Sequence, residues 1–215
     1  MAKEQIRKEI IRCGNLLIKK GLVTGTGGNI SARIPAEKVF YITPSGIPYE
    51  EIAVDDIVVI DFDGNVISGK RKPSIESILH RYIYIARPDV NAVIHTHAVY
   101  TSAIAATRQD LPPFLDTLVA VFGGGLKTAG YASIGTEKLA QNAVEALGTR
   151  SAALLANHGA VCTGQNLAQA FDRAEFLEAS AKTYIMAHLI GKPVTLDQGV
   201  IDKEAADLVR RYGQN

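Results

Sequence analysis

His95-Thr96-His97 closes the apolar run Val90 to Ile94 and sets two imidazoles two residues apart. In a strand, side chains alternate between faces and each residue advances about 3.3 Å, so ring nitrogens at i and i+2 can converge on one metal ion. The chain holds five histidines, and a third candidate, His158, ends another apolar run as Asn157-His158-Gly159. Three neutral imidazoles with one open position describe a catalytic zinc site better than a closed structural one, which normally takes a fourth fixed ligand and often thiolates. Glu76 belongs to the same question. It falls in the first turn of an expected helix, where a carboxylate commonly does no more than stabilise the helix dipole, by about 0.3–1 kcal/mol. If that helix start faces the histidine strand, Glu76 can take the fourth metal position, release it to substrate and act as a base beside a Lewis acid.

Three small-polar turns invite an anion. Gly25-Thr26-Gly27-Gly28-Asn29 allows backbone N–H groups to approach a phosphate. It lacks the Gly-Lys-Ser/Thr ending of a nucleotide-binding loop. It also lacks the third glycine of a dinucleotide fingerprint, at Ile30, and follows a helix rather than a strand. Alone it reads as a tight helix-to-strand connection. Thr43-Pro44-Ser45-Gly46 ends a strand in a turn, and Lys72-Pro73-Ser74 stands at a helix N-terminus, where free N–H groups favour anions. The three turns can share one phosphate.

The elements that must position these groups follow from periodicity. Ile6, Ile10, Cys13 and Leu17 mark a first helix, ended by Lys19-Lys20-Gly21. Short alternating segments at 29–34, 39–43 and 57–61 read as antiparallel strands. A helix from Ile75 to Ala86 follows Pro73-Ser74, then a strand from Val90 to His95 and another helix from near Ala98. Gly135-Thr136-Glu137 caps a helix through Leu147, Ser151 to Ala156 is a strand, Leu167 to Ile190 is a long helix, and a last short helix covers roughly Lys203 to Arg211. His80 and His188 fall inside helices and read as ordinary surface or packing histidines. Gly123-Gly124-Gly125 is either a flexible turn or a close-packed strand crossing. The fold class is α/β: one layered domain, 1–215, with a mainly antiparallel central sheet and helices on both faces.

Composition narrows the partners. A chain of 215 residues that is 47% hydrophobic can bury one sizeable core, and no linker-like stretch divides it. With a net charge of +1 and dispersed lysines and arginines, neither nucleic acid nor an anionic membrane is expected as a partner. No signal-peptide core or apolar run of about 20 residues is present, so a soluble cytoplasmic protein is expected. Cys13 and Cys162 lack a C-x-x-C partner, which favours buried thiols over a disulfide.

Taken in order, Gly25 to Ser31, Ile42 to Tyr49, Pro73-Ser74-Ile75-Glu76, Arg87-Pro88-Asp89, His95-Thr96-His97-Ala98, Gly135-Thr136 and Asn157-His158-Gly159 resemble the zinc-dependent class II sugar-phosphate aldolases. That family is typified by the L-fuculose-1-phosphate aldolases and related to the 4-epimerases and the adducin head domain. The resemblance runs over nearly the whole chain. It implies Zn²⁺ held by His95, His97 and His158 with Glu76 as an exchangeable ligand, and phosphate contacts at Gly28, Asn29, Ser45, Gly46 and Ser74. Where the fuculose-phosphate enzymes have a second serine this chain has Ile75, so that contact is missing or made by the Ile75 backbone N–H. Ungapped matching puts Asp116 where those enzymes have an active-site tyrosine. An ionised carboxylate cannot donate a proton, so Asp116 acts differently, serves as a base, or is structural. Tyr212 stands where the aldolases carry a tyrosine that reaches a neighbouring subunit's site.

The activity implied is a lyase reaction: reversible cleavage of a ketose 1-phosphate, L-fuculose 1-phosphate-like, to dihydroxyacetone phosphate and an aldehyde through a metal-stabilised enediolate. Glu76 moves the proton at the enediolate carbon, and a donor such as Tyr212 serves the aldehyde oxygen. The alternatives are an aldolase for 5-deoxyribulose or methylthioribulose 1-phosphate, and an epimerase, dehydratase or decarboxylase on the same site. A scaffold like the adducin head is disfavoured by the intact metal set. The epimerase branch is disfavoured by Glu76, since that branch has an aspartate there. The resemblance also implies a homotetramer with sites between subunits.

Overall fold

The computed structural model describes residues 2–35 and 37–211. Eight strands among the described residues form one sheet: β1 (Asn29–Ala32), β2 (Val39–Ile42), β3 (Val58–Asp61), β4 (Val66–Ser68), β5 (Ala92–Thr96), β6 (Thr128–Ala129), β7 (Ala152–Leu155) and β8 (Gly159–Gly164). Their order is β4-β3-β2-β1-β5-β8-β7-β6. Every neighbouring pair is antiparallel except β6 with β7. The helices are α1 (Ala2–Lys19), α2 (Ser77–Ala86), α3 (Val99–Ala106), α4 (Asp116–Phe122), α5 (Glu137–Leu147), α6 (Leu167–Ile190) and α7 (Gln198–Arg211). None of them is long and apolar enough to cross a membrane.

Strand alternation divides the core into two layers. Ile30, Ile94, Leu154 and Cys162 pack with Ile10 and Leu17 of α1 and Leu177 of α6. Phe40, Val93, Ala153 and Val161 point the other way and pack with Leu79 and Ile83 of α2 and Leu147 of α5. Helices therefore cover both faces, and each fully buried Leu or Ile contributes about 1.5–3 kcal/mol. Local signals bound these helices, the Gly21 stop and the Thr136 cap as expected. Gly21, at φ 67°, follows α1; Thr136 Oγ1 accepts from Leu139 N, and Asn166 Oδ1 from Gln169 N, at the starts of α5 and α6.

Several boundaries differ from the periodicity. Helix α2 starts at Ser77, so Glu76 is its N-cap residue rather than part of the first turn, and its side chain makes no capping bond. The carboxylate has stronger partners elsewhere. Strands β4 and β6 have three and two residues, too few for a period to register. Strand β8 is the return arm of a hairpin whose three-residue turn, 156–158, carries His158. Helix α7 starts at Gln198, five residues before Lys203. Of the triple glycine, Gly123 takes the left-handed conformation that ends α4, while Gly125 packs closely against the Leu111 carbonyl beside the Leu111–Leu126 bridge, so each alternative is met in part.

The register decides what meets at the edge. Asn29 pairs with His95, His95 with Val161, and Leu155 with Gly159. The start of β1, the end of β5 and the β7–β8 turn therefore lie at one end of the sheet. Gly159 fits there only because it has no side chain: a Cβ would run into the Thr96 carbonyl oxygen and come within 3.1 Å of the His97 ring. Gly159→Ala is expected to cost about 1–3 kcal/mol, as overpacking does. It should weaken divalent-metal binding as well, because His97 has to move. Urea titration and metal competition check both, and wild-type values in the variant would refute this account of the close approach.

Candidate metal centre

His95 lies on the face of β5 that looks toward α2, His97 follows one residue beyond the end of the strand, and Glu76, the N-cap residue of α2, lies within 4.8 Å of both rings. The β7–β8 turn brings His158 from the other side. It is pinned by Asn157, which is left-handed at φ 57°, donates its N–H to the Ala105 carbonyl at 3.0 Å and accepts from Arg108 Nε at 2.8 Å. Potential ligand atoms of Glu76, His95, His97 and His158 all lie within 4.8 Å of one another. His95 Nε2 is 2.8 Å from His97 Nε2 and 3.2 Å from Glu76 Oε2, and His158 Nε2 is 3.6 Å from Glu76 Oε1. Tetrahedral ligands at the usual 2.0–2.1 Å from zinc stand about 3.3 Å apart, so these separations suit one small divalent cation.

Proton positions support the same reading. The Ala160 carbonyl can only accept, so His95 Nδ1, 2.9 Å away, carries a hydrogen toward it and Nε2 is the ring atom turned to the cluster. Glu76 Oε1 and His158 Nε2 are buried with no hydrogen-bond partner among the described residues. A buried polar atom left unsatisfied costs about 1–3 kcal/mol, which a shared cation would relieve. Burial pushes His97 and His158 each down to about 4, so both imidazoles are neutral and their lone pairs free at neutral pH. Burial works against charge on Glu76. Its interactions with His95, then with His158 and the Asn29 amide, outweigh that and hold the carboxyl well below the usual carboxylate range.

Two of the turns expected to take phosphate are joined to each other just before Glu76 in the chain. Ser45 N donates to the Lys72 carbonyl at 3.0 Å and Ser74 N to the Thr43 carbonyl at 3.1 Å, closing a bridge between Pro44 and Pro73. Ser74 is buried two residues before Glu76, and its Oγ accepts the Glu76 N–H at 3.3 Å, leaving the hydroxyl hydrogen free to donate. Ser45 and Gly46 are exposed, with Gly46 at φ 70°. Gly28 takes the same conformation at φ 70°, packed so closely that a Cβ would lie 2.5 Å from the His95 carbonyl oxygen.

Asn29 has a larger role than a phosphate contact. Its Nδ2 donates to Glu76 Oε2 at 2.8 Å and its Oδ1 accepts from His80 at 2.5 Å, so one amide hydrogen remains for a ligand. His80 is no surface residue: it is 0% exposed, and burial pushes it down to about 3. The missed signal was spacing. Glu76, His80 and Tyr84 recur every four residues and so share one side of α2, facing Asn29 and Ser31 of β1.

The remaining candidates stand apart. The Ile75 side chain is 65% exposed, leaving its backbone as the group available to an anion. Asp116 heads α4, exposed, with its Oδ1 accepting from Thr117 N at 2.6 Å, and is not among the clustered ligands. His188 is exposed and its Nδ1 bonds the Tyr184 carbonyl, as a surface histidine would. Tyr212 lies outside the described residues.

Known proteins share this arrangement of chain and fold. A 5-deoxy-D-ribulose 1-phosphate aldolase from Bacillus thuringiensis serovar kurstaki is 38% identical over 100% of both chains. An L-fuculose phosphate aldolase from Escherichia coli is 34% identical over 99% of this chain and 96% of its own. A solved L-fuculose 1-phosphate aldolase superposes with a TM-score of 0.92 at 40% identity, covering 95% of this chain and 96% of that one. Residues 8–185 match the class II aldolase and adducin N-terminal domain family, and the chain belongs to it.

Proposed function

We propose that the whole chain is one catalytic domain, a divalent-metal-dependent lyase that reversibly cleaves a ketose 1-phosphate to dihydroxyacetone phosphate and an aldehyde. The observation that carries this reading is the convergence of Glu76, His95, His97 and His158 beside the Ser74 turn. The three imidazoles and Glu76 would hold the ion, which we take as Zn²⁺ from the three neutral nitrogens and one exchangeable carboxylate. When bound, a divalent cation supplies Lewis-acid stabilisation of the negative charge that develops on the ketone oxygen.

The chain's own residues do the rest. Gly28, Asn29, Ser45, Gly46, Ser74 and the Ile75 N–H bind the phosphate, and their remote binding energy orients the reacting carbons. As the carbon–carbon bond breaks, its electron pair stays with the three-carbon fragment and the hydroxyl proton leaves the departing aldehyde. Glu76 carries the proton to and from the carbon so exposed. Tyr212 or Asp116 exchanges the proton at the aldehyde oxygen, Tyr212 across a subunit boundary in a homotetramer. Free, buried Cys13 and Cys162 fit a cytoplasmic location.

The substrate is a ketose 1-phosphate, with 5-deoxyribulose 1-phosphate and L-fuculose 1-phosphate as first candidates, because relatives at 38% and 34% identity act on these. Mass spectrometry of products from a panel of ketose phosphates tests this. The expected result is dihydroxyacetone phosphate plus one aldehyde from at least one member. Release of CO₂, of water or of an epimer would replace the aldolase reading by another reaction. Light scattering that reports a monomer would remove Tyr212 from the mechanism.

A further inference from the structure

Behind Glu76 runs a buried chain of hydrogen bonds. Tyr84 Oη lies 2.8 Å from Ser31 Oγ, Ser31 Oγ 2.6 Å from His80 Nδ1, His80 Nε2 2.5 Å from Asn29 Oδ1, and Asn29 Nδ2 2.8 Å from Glu76 Oε2. None of these residues is more than 4% exposed, so water does not substitute for a missing partner.

The direction of every bond follows from its acceptor end. A carboxylate only accepts, so Asn29 turns an N–H to Glu76 and its carbonyl toward His80. A carbonyl also only accepts, so His80 carries its hydrogen on Nε2 and accepts at Nδ1. Ser31 then donates to His80, and Tyr84 to Ser31. Reversal of the Asn29 amide would press its oxygen against the carboxylate and its NH₂ against the His80 donor, so Glu76 and His80 hold the orientation from opposite ends.

We propose that His80, as the Nε2–H tautomer, is a positioning residue that locks the Asn29 amide and through it aims the Glu76 carboxylate at the histidine cluster. The inference rests on the metal-site reading above. It goes beyond that reading by giving a role to His80, Ser31 and Tyr84, which lie behind Asn29 and outside the ligand group.

Two measurements test it. Nitrogen-15 correlation spectra of the metal-free wild-type protein should show His80 as the Nε2–H tautomer at neutral pH; the Nδ1–H tautomer overturns the proposal without any variant. In chelator competition, His80→Leu should bind Zn²⁺ about 10–100-fold more weakly, the range found when a residue supporting a ligand is lost. His80→Gln should recover most of that affinity, since its amide can donate where Nε2 does, even if both variants lose stability in urea. A folded His80→Leu with wild-type affinity overturns the proposal, and so does a His80→Gln protein as weak as His80→Leu. Wild-type protein that binds no divalent metal defeats the functional reading instead, and the tautomer spectrum still decides the role of His80.

Discussion

Glu76→Gln is expected to lower kcat by about 10²–10⁴-fold, the usual contribution of a positioned proton-transfer group, while metal content stays near wild type. The amide keeps the shape of the carboxylate and can still accept from Asn29 Nδ2 through its oxygen. It cannot take a proton at neutral pH. His95, His97 and His158 remain as ligands, so metal analysis separates loss of the base from loss of the ion. Because the carboxyl is held well below its ordinary range, wild-type Glu76 is ionised throughout the neutral region and able to act as base. Steady-state kinetics beside metal analysis provide the check. Full turnover by the variant would sink the base role.

Removal of divalent metal with a chelator is expected to abolish activity, and added Zn²⁺ to restore it. A Lewis-acid contribution of several kcal/mol corresponds to a rate loss of about 10³-fold or more. His95→Ala should prevent the restoration. Its ring is oriented by the Ala160 carbonyl and its Nε2 approaches both His97 and Glu76, so no neighbour can replace it. The variant also loses the main group that offsets the buried Glu76 charge, so its unfolding midpoint should fall with its metal affinity. Activity that survives both chelation and His95→Ala would rule out metal-dependent cleavage.

Much of the site was legible because its first features are local. The period of two in His95-Thr96-His97 needs only a strand, and Pro73-Ser74 announces a helix start beside Glu76. The supporting residues were hidden for the opposite reason. His80 on its helix resembles any packing histidine until β1 is known to lie beneath it. The i, i+4 stripe of Glu76, His80 and Tyr84 and the i, i+2 pair of Asn29 and Ser31 are each visible alone. That they interlock depends on α2 packing against that face of β1. Asp116, which matching places in an active site, heads α4 exposed and outside the Glu76–histidine group of this chain.

By itself the sequence supplied the candidate side chains, the family they resemble and the expected common face of His95 and His97, because residue type and strand period are properties of a few neighbouring residues. Only the tertiary structure decided that Glu76, His95, His97 and His158 meet within 4.8 Å and that Asn29 holds Glu76 rather than waiting only for phosphate. Those outcomes depend on the β1–β5–β8 register and on the seat of α2 above it. Both are set by burial of apolar faces far apart in the chain, which no local spacing records.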